Sequence, residues 1–234
     1  MDEPDPGRTL RRQEASDAVS GLGWRYVLGT LRATLAVGSL AEATEVAARV
    51  VAACDDGAAS LSIDLRPDQV ALSLQSPVTA SVTGREVALA LRISEVARGL
   101  GLATDAGVGG RSPRSVQVVE IAIDALDIAA IRPFWKAVLG YTDEPGRSGP
   151  EDPLVDPLGQ GPAIWFQQMD APRPQRNRIH LDVSVPHDEA RDRIRATLAA
   201  GGTLRSDAAA PAFWVLADPE GNEACITTWQ GRDP

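Results

Sequence analysis

Arg178-Ile-His-Leu-Asp-Val-Ser-Val185 alternates strictly, with Ile179, Leu181, Val183 and Val185 on one side and His180, Asp182 and Ser184 on the other. Successive side chains of a strand point to opposite faces, so this stretch reads as a strand with one apolar and one polar side. Val119-Glu-Ile-Ala-Ile-Asp124 repeats the pattern, setting Val119, Ile121 and Ile123 against Glu120, Ala122 and Asp124. Each strand runs into a helical segment, then a glycine, then further strand-like runs. The second half of the chain is therefore one unit written twice, with Glu120 and His180 in matching places. The offset of about sixty residues is too long for a solenoid repeat and suits a two-module domain.

In the first copy, a strand over 117–123 precedes a helix over 128–139 that Gly140 ends, and strands follow near 154–156 and over 163–169. In the second, a strand over 178–185 precedes a helix over 187–200 that Gly201 and Gly202 end. Strands over 213–217 and 223–229 finish it, joined by the tight turn Asp218-Pro-Glu-Gly-Asn222. Upstream, Ser39-Leu-Ala-Glu42 and Thr83-Gly-Arg-Glu86 are capping boxes, each announcing a helix. Strands are expected over 24–27, 31–37, 61–65 and 70–74, with Gly29 turning the first pair. A short helix near Glu14 opens the order helix, two strands, helix, two strands, helix.

Residues 1–10 have the composition of a disordered tail, and 104–115 that of a linker. The fold class is α+β. Residues 1–105 form an α/β two-layer domain, 106–115 a linker, and 116–234 a domain of two modules, 116–170 and 177–231.

Bulk properties narrow the function classes. With 234 residues and 44% hydrophobic content, the chain can bury a core. A net charge of −9 with scattered arginines argues against nucleic acid or an anionic membrane surface as partner. Two cysteines, Cys54 and Cys225, lie far apart in no metal-type pair, which speaks against a disulfide scaffold and for a reducing, cytoplasmic setting. The acidic, turn-rich start is unlike a signal peptide. No apolar run approaches the roughly 18 residues of a membrane span.

Five segments, taken together, resemble the glyoxalase-like branch of the vicinal oxygen chelate superfamily. They are Val119-Glu-Ile-Ala-Ile-Asp124, Phe134-Trp-Lys-Ala-Val-Leu-Gly140, Trp165-Phe-Gln167, Asn177-Arg-Ile-His-Leu-Asp182 and Asp218-Pro-Glu-Gly-Asn-Glu223. That resemblance implies paired βαβββ modules whose sheets curl into a half-open barrel around a cavity that holds a small organic molecule. With the apolar strand faces against helices, Glu120, Ala122, His180, Asp182 and Cys225 are left for the concave side.

The resemblance also implies metal-ligand positions at Glu120, His180 and Cys225, with Trp165 or Gln167 as the fourth. Glu120, His180 and Glu223 form a second possible set, for zinc, nickel, manganese or iron. Trp165 and Gln167 are poor ligands, so the four-position set is broken, and a site without metal is equally consistent. Glu120 and His180 then read as base and acid of a lyase or isomerase, or as a carboxylate paired with an imidazole. Trp165, Gln167, Asp182 and Cys225 read as substrate-binding walls. The rival reading is a non-catalytic binding protein, like the drug-sequestering members of the superfamily. Arg176 and Arg178 are candidates to close over an anionic ligand, against the plainer reading of surface ion pairs. His187 reads as a solvated helix cap and Trp135 as packing.

Residues 10–100 resemble pterin-4a-carbinolamine dehydratase. The resemblance rests on Gly23-Trp24, Ser62-Ile-Asp-Leu-Arg66, Val70-Ala-Leu-Ser-Leu74 and Val82-Thr83. The family's His-His-Pro triplet aligns with Ala59, Ser60 and Leu61, its later histidine with Pro77 and its aspartate with Glu86. None of Ala59, Ser60, Leu61 or Pro77 can shuttle a proton near neutral pH. This half is expected to be a degenerate scaffold, and a dehydratase working through Asp64 and Glu86 is the weaker alternative. Both relatives imply self-association, with a homodimer the simplest form.

Overall fold

The computed structural model describes residues 7–107, 115–172, 175 and 179–231. The first residues of the expected tail, the body of the expected linker, and Arg176 and Arg178 lie outside the described residues. The chain divides into two compact units, Met1–Val118 and Val119–Pro234. No helix among the described residues is long and apolar enough to cross a membrane.

The N-terminal unit runs α1 (Arg12–Ser20), β1 (Arg25–Val27), β2 (Thr30–Ala36), α2 (Leu40–Cys54), a 3₁₀ turn (Asp55–Ser60), β3 (Leu61–Leu65), β4 (Gln69–Leu74), α3 (Gly84–Gly99) and β5 (Thr104–Asp105). The antiparallel sheet has the order β1-β2-β4-β3, and β5 adds to β2. Leu28 and Gly29, both at positive φ (44° and 74°), make the two-residue turn between β1 and β2. β5 falls in the first residues of the stretch with linker composition, and its pairing with Thr34 and Leu35 makes that part structural.

Alternation sorts each strand. Leu31, Ala33 and Leu35 of β2 and Val70, Leu72 and Leu74 of β4 are buried with Val46 and Val50 of α2 and Leu89 and Ile93 of α3. Trp24 sits in that core, its indole N–H donating to Ser94 Oγ at 3.0 Å. All three helices thus cover one face of the sheet, and the other carries Arg32, Thr34, Ala71 and Ser73.

The C-terminal unit holds two four-stranded sheets of matching strand order. Its first module is β6 (Glu120–Ala125), α4 (Ile128–Leu139), β7 (Thr142–Asp143), β8 (Leu154–Val155) and β9 (Ala163–Gln168). Its second is β10 (Leu181–Ser184), α5 (Ala190–Ala199), β11 (Thr203–Ser206), β12 (Phe213–Ala217) and β13 (Glu223–Thr227). The sheets have matching orders, β6-β9-β8-β7 and β10-β13-β12-β11, with first and last strands parallel in each. Neither sheet closes on itself.

α4 begins where the Asp127 carboxylate accepts from Ala130 N at 3.0 Å and ends at Gly140 with φ 70°. Its Ile131, Phe134, Trp135 and Val138 face a core shared with Ile123, Ile164, Phe166, Leu216 and Ile226. Arg193 of α5 donates to the Val138 carbonyl at 3.2 Å, one of the carbonyls a helix C-terminus leaves unpaired. The positive φ of Gly140 favours glycine, and a Cβ there would lie 2.7 Å from that guanidinium, which would have to shift.

β7 and β11 carry no strand signal in the sequence. β7 is only two residues long, and all four residues of β11 are exposed, so neither leaves an apolar pattern. The first strands start later than expected, at Glu120 and Leu181, and α5 starts at Ala190.

Candidate functional site

Alternation sorts the strands into more and less buried sides, but Ile121, Ile123 and Leu181, expected to cover helices, line the cavity, while Glu120, His180, Asp182 and Cys225 do not. On β6, Ile123 and Ala125 are buried while Glu120 and Ala122 are exposed, and on β10 Asp182 and Ser184 are exposed. Trp135 from α4 and Leu181 from β10 come to the same hollow as Ile121 and Ile123 of β6. The result is a cavity of about 460 Å³ between the first strands of the two modules, with Asp124, Asn222 and Glu223 among its polar walls. That volume lies in the range of small-molecule pockets.

The turn Asp218–Asn222 organises one side of this cavity. Asp218 is 1% exposed, and its Oδ1 accepts from the backbone N–H of Glu220 (2.9 Å) and of Asn222 (2.8 Å). Its Oδ2 accepts from Asn222 Nδ2 (2.8 Å) and from Trp135 Nε1 (3.0 Å), tying the second module's turn to the first module's helix. Glu220 makes a second tie, accepting from Leu126 N at 2.9 Å and Asp127 N at 2.7 Å, where β6 gives way to α4. A carboxylate against the first N–H groups of a helix is favoured by the helix dipole as well as by the hydrogen bonds.

Of the residues expected on the concave side or in the site, Ala122 and Glu223 line the cavity. Glu120 is exposed at the start of β6, and His180 is exposed just before β10. No hydrogen bond or ion pair joins these two among the described residues, so the buried carboxylate–imidazole pair expected from sequence is not formed. Trp165 and Gln167 are on the exposed side of β9, with Trp165 in register with Ala122 and Gln167 with Asp124. Asp182 and Cys225 are in register on β10 and β13, Asp182 exposed and Cys225 buried. His187 precedes α5, and its Nδ1 accepts from Trp229 Nε1 at 3.3 Å.

Among the described residues, no group of three or more His, Cys, Asp and Glu is placed to hold a metal ion. The set Glu120, His180 and Glu223 is therefore not assembled, because Glu223 turns to the cavity while the other two sit on exposed strand starts. The donor groups present do not fit a protein-held metal, and no chemical step is drawn through one. Sequence reasoning missed Asp124, Trp135, Leu181 and Asn222 as cavity residues. Asp218-Pro-Glu-Gly-Asn222 reads from sequence as a turn alone.

In the N-terminal unit, the positions aligned with dehydratase machinery are closed by their own bonds. Ser60 Oγ donates to Glu86 Oε1 at 2.7 Å, while Thr83 donates to Glu86 Oε2 from its backbone N–H (2.8 Å) and its hydroxyl (2.6 Å). Glu86 is 1% exposed and completes the capping box of α3.

Residues 120–227 match the family model described as a glyoxalase-like domain. No curated protein matches this chain. Solved structures similar to part of this chain include a glyoxalase/bleomycin resistance protein/dioxygenase family enzyme from Burkholderia phytofirmans PsJN, at 19% identity and TM-score 0.35, covering 47% of this chain and 95% of that one. Another is the fosfomycin resistance protein FosX from Mesorhizobium loti, at 9% identity and TM-score 0.38, covering 51% of this chain and 96% of that one. A transcriptional coactivator/pterin dehydratase from Brucella melitensis is similar at 15% identity and TM-score 0.35, covering 38% of this chain and 98% of that one.

Proposed function

We propose that the glyoxalase-like half binds a small organic molecule in the cavity between β6 and β10, without a protein-held metal. One observation carries the reading: Ile121, Ile123, Leu181 and Trp135 wall a hollow of about 460 Å³ with Asn222 and Glu223 at its edge. Apolar walls with a few polar groups at one edge suit a molecule with an apolar body and one polar substituent. The role is binding rather than turnover. Glu120 and His180, the acid and base candidates, are exposed and do not line the hollow, and proton transfer needs the group within hydrogen-bond reach of the reacting atom.

The N-terminal half serves as a scaffold without dehydratase chemistry. Its aligned carboxylate, Glu86, is enclosed by Ser60 and Thr83 with no imidazole beside it.

The test is a screen of small amphipathic molecules by thermal shift and intrinsic tryptophan fluorescence. Ala122 lines the cavity yet is exposed, so Ala122→Trp fills the hollow without disturbing the core. Binders found with the parent chain are expected to lose at least about tenfold in affinity, roughly 1.4 kcal/mol, in Ala122→Trp. Absence of any binder, or binders unaffected by both Ala122→Trp and Leu181→Trp in chains of unchanged circular dichroism, would refute the assignment.

A further inference from the structure

The face of the N-terminal sheet away from its helices carries a row of donors that meet no carboxylate among the described residues. Arg25 of β1 stands in register with Arg32 of β2, Arg32 with Ser73 of β4, and Ser73 with Ser62 of β3. Residues directly opposite in an antiparallel pair share a face. Trp24 and Leu31, the neighbours in sequence, are buried, so both arginines lie on the side away from the core. Two like charges directly opposite destabilise a sheet unless something neutralises them.

No carboxylate among the described residues does so. Arg25 Nη1 donates to the carbonyls of Ser20 (3.3 Å) and Trp24 (2.8 Å), and Arg32 Nε donates to Thr30 Oγ1 at 3.2 Å. Among the described residues, the terminal nitrogens of Arg32 have no hydrogen-bond partner, although the side chain is half-buried. Burial lowers its pKa from the usual arginine value, which marks a charge taken partly out of water without a counter-charge.

Arg32 opens onto a hollow of about 400 Å³, with Thr34, Ala71, Ser115 and Gln117 among its walls. Asp64 also lines it but is held by Arg66 at 2.8 Å. Asp68 is at the far end, beyond the Ala36–Gln69 pair, about 13 Å along the strand from Arg32 at roughly 3.3 Å per residue. The cluster of Ser60, Thr83 and Glu86 takes no part.

We propose that this face is a second ligand site, in which the planar fork of Arg32 at the hollow holds the carboxylate or phosphate group of a small organic molecule, with Arg25 in register beside it adding positive charge. A guanidinium fork matches both groups, forming two parallel charge-assisted hydrogen bonds. The hollow exceeds the roughly 30 Å³ that a water-sized species occupies, which calls for an organic body attached to the anion. The site is independent of the cavity between β6 and β10, since no residue is shared.

The test uses the full chain, with inorganic phosphate and sodium benzoate as separate probes and sodium chloride at matched ionic strength as control. Thermal shift and titration calorimetry report on Arg32→Gln, Arg32→Lys and Arg25→Gln beside the parent. Phosphate or benzoate is expected to raise the parent's Tm beyond the chloride control, and which of them does so identifies the anion. Arg32→Gln should weaken binding at least tenfold, Arg32→Lys and Arg25→Gln several-fold. At low salt without probe, Arg32→Gln should melt no lower than the parent, because it relieves the opposed charges. Equal effects of both probes and chloride, or an unchanged response in Arg32→Gln, overturn the proposal. If Arg32→Gln does not fold, an unchanged response in Arg25→Gln and Arg32→Lys overturns it instead.

Discussion

Glu86 and Asp218 are each 1% exposed and each accepts hydrogen bonds at both oxygens, yet the first closes a site and the second frames one. The donors to Glu86 come from Ser60 and from Thr83, which begins α3, so the carboxylate and its partners fill their own space. The donors to Asp218 come from its own turn and from Trp135 of the other module. Trp135 is also a wall of the cavity, so satisfying Asp218 fixes one boundary of a hollow. A buried carboxylate is therefore no sign of chemistry by itself. What matters is whether its partners pack together or span a gap.

The largest expected effect separates the two. Asp218→Ala should cost about 3 kcal/mol in urea denaturation, since it strands the indole N–H and two backbone N–H groups, and should abolish binding in the cavity. Glu86→Ala should cost about 2–3 kcal/mol through the lost cap and stranded hydroxyls, and leave cavity binding unchanged. Equal effects of both variants on binding would break the distinction.

A smaller effect is expected from Glu220→Ala. It removes hydrogen bonds to Leu126 and Asp127 on an exposed side chain, so stability should fall by about 1 kcal/mol while affinity in the cavity falls several-fold. A stability loss with no change in affinity would show that the Glu220 tie does not shape the cavity.

The smallest effect concerns a carboxylate that is paired but not enclosed. Asp143 Oδ1 accepts from Lys136 at 2.8 Å and from the buried Arg132 at 2.7 Å. The hydrogen bond from Lys136, then that from Arg132, holds the Asp143 carboxyl below its ordinary value. A group lowered in the folded state contributes stability that is present above its unfolded pKa and lost as pH falls through the folded one. Asp143→Asn should thus cost under about 1 kcal/mol at pH 7, and the gap to the parent should shrink below about pH 4 and vanish in stronger acid. A gap that persists unchanged in acid would assign the effect to packing rather than charge.

The same contrast explains what was legible in the sequence. Period-two alternation gave the faces of β6 and β10, and helical spacing with Gly140 gave α4 with its observed ends. Phase tells which side chains share a face but not whether that face is covered: Glu120 and His180 are exposed, and neither lines the cavity. The tie from Glu220 to Leu126 spans 94 residues and the bond from Trp135 to Asp218 spans 83. No local pattern encodes such pairings. The turn chemistry of Asp218-Pro-Glu-Gly-Asn222 was readable, and its attachment to the other module was not. In the N-terminal half, the loss of histidines was plain from sequence, but the closing of Ser60, Thr83 and Glu86 upon one another needed coordinates.

The guanidinium that Arg193 offers to the Val138 carbonyl has a further bearing on the twofold pattern. One copy's helix is finished by a cation belonging to its sibling, and Gly140 makes room for that cation. Severing the chain between the copies would leave a frayed helix end on one fragment and its stopper on the other. The twin halves have become complementary parts, no longer able to stand in for each other.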